Sequence, residues 1–377
     1  MKSFALKDKP SGYLSKPAYL DAQFIITAPE TPLSPYLLRI LEKWGFTEIY
    51  SDGELSKEYS PDKMPETSEK SKDLAATSDQ EQIRQAEAFY ISFQKYVKLL
   101  FALLPVRNEL DFNFVSEEIK SVCDFLRTKR RYLMRTQWLG NPEAEENQMV
   151  THAARSTILA IIIGINLKFQ NHRLIELGVS ALLHELGMIK LPPDIYTKKT
   201  ALTEQERKLL SAHPILGFNL LKSFNFPLVV CLAALEHHER ENGTGYPQRK
   251  TGDKISLYAK IVAVACSYEA MLTSRPHKDA KDGHDGIMEL LKNEGRRYDD
   301  TITRALVYSL SIFPIGLYVL LSNGKKGQVV DANSENPRYP VVEVFGDLLP
   351  NGKNKIMRTS AETFSIVRPL TPEEING

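Results

Sequence analysis

Six of the chain's eight histidines fall between His152 and His238, a stretch where an even scatter over 377 residues would place about two. His152, His184-Glu185, His213, His237-His238 and Cys266 follow one another at intervals of 32, 29, 24 and 28 residues. At about 1.5 Å of rise per residue, each interval suits one helix plus its connector. Successive antiparallel helices would then return these side chains to one level of a bundle. Imidazoles beside an acid and a thiol at one level suit a metal site. So many groups require two or more ions, and imidazole with carboxylate suits Fe or Mn, with Zn also open. Two ions bridged by a carboxylate would activate water for attack on phosphorus and neutralise charge growing on the phosphate oxygens. That is the chemistry of phosphodiester hydrolysis. His172, His277 and His284 stand off this spacing and read as packed or surface residues.

The elements that must position these groups are mainly helical. Residues 144–314 carry helical apolar patterns punctuated by Pro192-Pro193, Pro214, Asn242-Gly243 and Pro276, which predicts an all-α domain of six or more helices. Ahead of it, Ala86–Leu104 and Val115–Trp138 predict two long helices in a connector over 86–143. Such a pair suits either a signalling or homodimerisation element or the first helices of the domain that follows. Residues 1–53 predict a small α/β piece, with strands at Phe24-Ile25-Ile26 and Thr47–Tyr50 and a helix from Leu37 to Trp44. Residues 54–85 are rich in Ser, Lys, Glu, Asp and Pro and predict a mobile linker. Beyond 315 the pattern turns to short β-like runs at Gly316–Leu321, Gln328–Asp331, Val341–Phe345 and Ser365–Val367. A small β appendage of three or four strands over 315–377 is expected.

Composition narrows the partners. A net charge of +1 offers nothing to a nucleic-acid polymer or an acidic membrane surface, so a small anion would need a local cationic site. No apolar core follows Lys2 as in a secretory signal, and the runs Thr157–Asn166 and Leu228–Leu235 are too short to span a bilayer. Three cysteines without CxxC spacing suit a reducing cytoplasm.

The segment Leu183-His184-Glu185-Leu186-Gly187-Met188-Ile189-Lys190-Leu191-Pro192 resembles LHDIGKIGIP, the signature of the HD-GYP branch of the HD phosphohydrolase superfamily. His237-His238-Glu239-Arg240-Glu241-Asn242-Gly243-Thr244-Gly245-Tyr246-Pro247 is similar to HHERxDGxGYP, and Ala263–Leu272 and Ser274–Lys278 resemble AVADxFDAL and SxRPYK. The resemblance spans residues 148–300. It implies a helical bundle with a two- or three-metal centre that hydrolyses cyclic di-GMP to linear pGpG or GMP, in the cytoplasm of a bacterium. It further implies His152, His184 and Glu185 at one metal, Glu185 as the bridge, and His213, His237 and His238 at the second. His184 and Glu185 would then be catalytic, with Arg275 and Lys278 on the ligand's phosphate.

Four positions depart from the family pattern. Glu185 stands for the bridging Asp, Cys266 for a later metal-binding Asp, Met188 for a Lys, and Gln148 for the Glu of three-metal members, which argues against a third ion. A Cys266 thiolate suits Zn or Fe, while a small buried cysteine is common in helix cores, so both readings of Cys266 stand. Lys190 lies two residues beyond Met188 and would point elsewhere. The leading expectation is an active cyclic di-GMP phosphodiesterase. Against it stand a weak or inactive member that binds the dinucleotide or a signalling protein without turnover, and an enzyme for another nucleotide.

Overall fold

The computed structural model describes residues 2–8, 13–16, 18–19, 25–27, 33, 38–39, 41–42, 46–56, 69–136, 148–196, 198, 200–273, 280–333, 335–350 and 352–376. The chain divides into two compact units, Met1–Asp79 and Gln80–Gly377.

In the first unit, strands β1 (Lys2–Ala5), β2 (Tyr13–Leu14), β3 (Ala18–Tyr19), β4 (Ile25–Thr27), β5 (Glu48–Ser51) and β6 (Leu55–Ser56) are short. They form a four-stranded antiparallel sheet in the order β1-β5-β3-β4, with β2 and β6 as a separate pair. Leu6, Leu14, Ala18, Leu33, Leu38, Leu41 and Ile49 make its core. The two strands expected from sequence are β4 and β5. The helix expected from Leu37 to Trp44 lies largely outside the described residues.

Helix α1 (Glu69–Arg107) begins well inside the stretch expected to be linker, and Asn108, at φ 49°, ends it in the left-handed conformation. Helix α2 (Phe112–Arg135) starts at Asp111, whose carboxylate accepts the Phe114 amide at 2.8 Å. Tyr90, Phe93, Val97 and Leu104 of α1 and Val115, Ile119 and Leu126 of α2 join the core that also holds the histidine-bearing helices.

At the centre of that core is α3 (Gln148–Asn166), buried from Val150 to Gly164 apart from the partly exposed His152. Its Ile161-Ile162-Ile163 run favours a strand locally, at a helix cost of a few tenths of a kcal/mol per residue. Burying each side chain contributes about 1.5–3 kcal/mol, so tertiary packing decides the conformation. The Thr157–Asn166 run, expected to be too short for a bilayer, is the second half of this helix. By length and composition Gln80–Arg107 and Gln148–Asn166 are both long and apolar enough to cross a membrane, the second being mostly buried in the core.

There follow α4 (Asn171–Leu183), α5 (Pro193–Tyr196), α6 (Glu204–Leu210), α7 (His213–Ser223), α8 (Leu228–Glu236), α9 (Leu257–Leu272), α10 (Gly283–Lys292) and α11 (Asp300–Leu310), of which α4, α9 and α11 pack most closely on α3. A mainly α fold results, as expected. Strands β7 (Tyr318–Leu321), β8 (Lys326–Asp331), β9 (Val341–Leu348), β10 (Asn354–Arg358) and β11 (Ile366–Pro369) then form one antiparallel sheet in the order β10-β9-β8-β7-β11, followed by α12 (Pro372–Asn376). The sheet has five strands, one more than the upper expectation. Strand β10, Asn354-Lys355-Ile356-Met357-Arg358, is too polar to stand out in the sequence.

Candidate metal centre

Helix ends position the histidines. Helix α4 stops at Leu183, leaving His184 as its C-cap, and Glu185 (φ −92°, ψ 6°) turns the chain into a 3-10 turn over Leu186–Lys190. His213 opens α7, and His237 caps the C-terminus of α8. The 3-10 turn lies directly on α7, because Gly187 has no side chain there. A Cβ at Gly187 would stand 2.6 Å from the Gly217 amide nitrogen. This close approach sets Glu185 beside His213.

Three histidines are held in the same way. Nδ1 of His184, His213 and His237 meets the carbonyl three residues earlier, Ala181 at 2.7 Å, Leu210 at 2.7 Å and Ala234 at 2.8 Å. A carbonyl only accepts, so each Nδ1 carries a proton and each ring turns its Nε2 inward. Those Nε2 atoms converge. His213 Nε2 and His237 Nε2 are 3.2 Å apart. Glu185 Oε2 lies 3.3 Å from His213 Nε2, while Oε1 lies 3.8 Å from His184 Nε2 and 3.9 Å from His152 Nε2.

Two groups of ligand atoms result, each within 4.8 Å: Glu185 with His213, His237 and His238, and Glu185 with His152 and His184. Glu185 belongs to both. Among the described residues, the buried His184 Nε2 and Glu185 Oε2 have no hydrogen-bond partner. Acceptors packed this tightly against acceptors repel unless a cation lies among them. The residues present therefore fit divalent metal.

Electrostatics point the same way. Burial pushes His184 down to about 4 and drives His237 and His238 well below the usual histidine range, so these rings stay neutral at pH 7. Burial also pushes Glu185 up, but His213, His184, His152 and His238 outweigh it and hold the carboxyl at about 2. Neutral imidazoles and an ionised carboxylate are the forms that bind metal.

The loop after His238 is laced into place by two buried acids. Glu239 accepts the amides of Gln248 (2.6 Å) and Lys250 (2.9 Å), and Glu236 accepts the Ser256 amide (2.7 Å) and pairs with Lys250 Nζ. Tyr246 is thereby stacked on the His238 ring at 4.6 Å, 19° from parallel. At Gly245 a Cβ would stand 2.5 Å from the Arg240 amide nitrogen, so this turn admits no side chain.

The other sequence-derived positions fall as follows. Cys266 is buried on α9, belongs to neither ligand group, and its Sγ reaches the Ala263 carbonyl at 3.5 Å. Burial pushes its thiol up to about 12. Met188 is half-buried, while Lys190 and Gln148 are exposed. Arg275, Lys278 and His277 lie outside the described residues. His284 Nδ1 donates to the Ile312 carbonyl and the ring stacks on Phe313, and His172 is exposed.

Sequence reasoning passed over Glu269. This carboxylate is buried on α9, and its Oε2 meets His152 Nδ1. Burial pushes it up, but His152, Thr273 and Arg155 prevail and hold it at about 2. The available signal was one charged residue within Ile261–Leu272, a stretch otherwise free of charge.

This fold and this centre define a class, the helical metal-binding phosphohydrolase domains. Residues 143–302 match the family model described as HD domain. Cyclic di-GMP phosphodiesterase PdeB of Borreliella burgdorferi is 25% identical over 92% of this chain and 86% of its own length. The cyclic di-GMP phosphodiesterase response regulator RpfG of Xanthomonas campestris is 37% identical over 38% of each chain. Among solved structures, Bd1817, an HDG"Y"P protein from Bdellovibrio bacteriovorus, superposes with a TM-score of 0.50 at 15% identity, covering 81% of this chain and 97% of that one. Residues 143–302 thus match an HD domain, and the chain is similar to cyclic di-GMP phosphodiesterases over that region.

Proposed function

We propose that this protein is a metal-dependent phosphodiesterase that hydrolyses cyclic di-GMP to linear pGpG, GMP or both. The observation that carries the proposal is Glu185, whose two oxygens face two separate histidine groups. The similarity to PdeB and RpfG, both named cyclic di-GMP phosphodiesterases, supports the substrate.

When bound, two divalent ions, Fe or Mn and also Zn on donor chemistry, would supply an activated water and Lewis-acid neutralisation of the phosphate charge. The chain's own residues do the rest. Glu185 spans the two groups, and the Nδ1–carbonyl bonds of His184, His213 and His237 keep their Nε2 atoms aimed inward. Tyr246 covers one face of His238. We assign Arg275 and Lys278 to the phosphates on charge and on position in the SxRPYK-like segment. Replacing either by Ala should weaken nucleotide binding by about 1.5–3 kcal/mol, measured by calorimetry, with metal content unchanged. The three buried free cysteines suit a cytoplasmic site of action.

A specific observation favours binding without turnover as a second reading: Met188 replaces the family's lysine, and Cys266 stands outside both ligand groups. One experiment separates the two. The full chain, loaded with Mn or Fe, is incubated with cyclic di-GMP and the products are resolved by chromatography. Linear pGpG or GMP, lost in His184→Ala together with bound metal, is the expected result. Binding without product selects the second reading, and neither binding nor product overturns both.

A further inference from the structure

His152 differs from its neighbours in how it is held. The Nδ1 atoms of His184, His213 and His237 rest on local carbonyls, but that of His152 rests on Glu269, a residue 117 positions away. Glu269 is 1% exposed, and its second oxygen accepts Thr273 Oγ1 at 2.6 Å and lies 3.7 Å from Arg155 Nη1. Arg155 is 3% exposed, donates through Nη1 to Thr273 Oγ1 at 3.4 Å, and donates through Nε to the Tyr90 hydroxyl at 3.2 Å. Tyr90 belongs to α1 and is itself buried, with Gln94 Nε2 donating to its hydroxyl at 3.0 Å. A continuous polar chain thus runs from α1 through α3 to α9 and ends on a metal-facing imidazole.

A buried Arg–Glu pair is a costly choice for stability, since desolvating two charges commonly cancels their attraction. An apolar pair of similar volume would serve the core as well. What the ion pair adds is direction. A carboxylate behind a ligand histidine fixes the ring's rotation and tautomer and makes its Nε2 a stronger donor. Arg155 in turn fixes which way the Glu269 carboxylate faces, and the Tyr90 oxygen, by accepting Nε–H, orients the guanidinium plane so that Nη1 meets Glu269 and Thr273.

Resting on the metal-centre reading above, we propose that Glu269, Arg155 and Tyr90 are positioning residues for His152, so that α1 forms part of the support of one metal site. The same chain holds Thr273, immediately ahead of the segment bearing Arg275 and Lys278.

The test is metal affinity, measured on the full chain by competition for Mn(II) with a chromophoric chelator. Wild type should hold about two ions. Glu269→Gln keeps the shape and loses the charge, and it should weaken one ion by about 10–100-fold, the usual cost of removing such a support, while the other ion is retained. Arg155→Lys should fall between wild type and Glu269→Gln, and Tyr90→Phe should weaken the same ion by several-fold. Tyr268→Phe is the control for general loosening of α9, since its buried hydroxyl donates to the Gly283 carbonyl, away from His152, and its loss should leave both affinities unchanged. Wild-type affinity for both ions in Tyr90→Phe and Glu269→Gln would overturn the inference alone. So would equal losses in Tyr268→Phe. Wild type that takes up no Mn would overturn the metal-centre reading and this inference with it.

Discussion

At the scale of single residues, the candidate ligands stood out because histidine is rare and its chemistry narrow. His152, His184, Glu185, His213, His237 and His238 stand in the two groups that the structure brings together. Spacing could not report rotation about a helix axis, and Cys266 shows the limit. It is buried on α9 outside both ligand groups, with its sulfur on the Ala263 carbonyl one turn back in its own helix. Glu269, three residues further along, is the α9 side chain that touches the centre. If Cys266 is a core thiol, Cys266→Ala should leave metal content and metal preference as in wild type, at a stability cost of about 1 kcal/mol for the small volume lost. Loss of one ion in elemental analysis of Cys266→Ala would make the thiol a ligand after all. Glu185→Gln tests the bridge more directly. An amide cannot offer an anionic oxygen to both groups, so at least one ion should be lost while the fold, read by circular dichroism, persists.

Among elements, the helices were readable from their 3.6-residue apolar period, and their ends less so. Helix α1 starts at Glu69 although the chain there is polar, since helix propensity in Glu, Lys and Ala leaves no apolar stripe to read. The α3 run of isoleucines reads locally as strand, and only the surrounding helices make it helical. Hidden too was the work of Glu236 and Glu239, which are buried clamps on the loop over 238–256. Removing the Glu239 carboxylate leaves the Gln248 and Lys250 amides without this acceptor. Glu239→Ala should therefore cost roughly 2–4 kcal/mol in denaturant unfolding, since hydrogen bonds to charged groups contribute about 1.5–3 kcal/mol each and partly overlap. Amide exchange at residues 248 and 250 should accelerate well before global unfolding. Unchanged protection there would show that Glu239 does not hold the loop.

For the whole molecule, the net charge of +1 already implied that an anionic ligand is met by a local site, and the converging lone pairs around Glu185 are such a site once they hold metal. Composition and pattern read the C-terminal sheet as an appendage, without showing how it meets the helices. Packing argues that it is part of the helical unit. Ile312 and Ile315 line both the helical core and the sheet core of Phe313, Val319, Leu321, Val329, Val342, Val344 and Phe364. Backbone bonds cross the same seam: the Ile312 amide donates to Pro337 at 3.0 Å, and the Gly316 amide donates to Val329 at 2.7 Å. The His284 ring of α10 stacks on Phe313 at 4.4 Å. Elements sharing side chains and hydrogen bonds in this way unfold together, because neither buries its apolar face alone. Phe313→Ala removes the ring that both sides touch and should cost about 3–5 kcal/mol, the usual figure for deleting a buried phenylalanine. The loss should appear as a lower denaturant midpoint of the helical signal at 222 nm. If the sheet were an independent module, Phe313→Ala would split off an early transition carrying little helical signal and leave the main midpoint where it was.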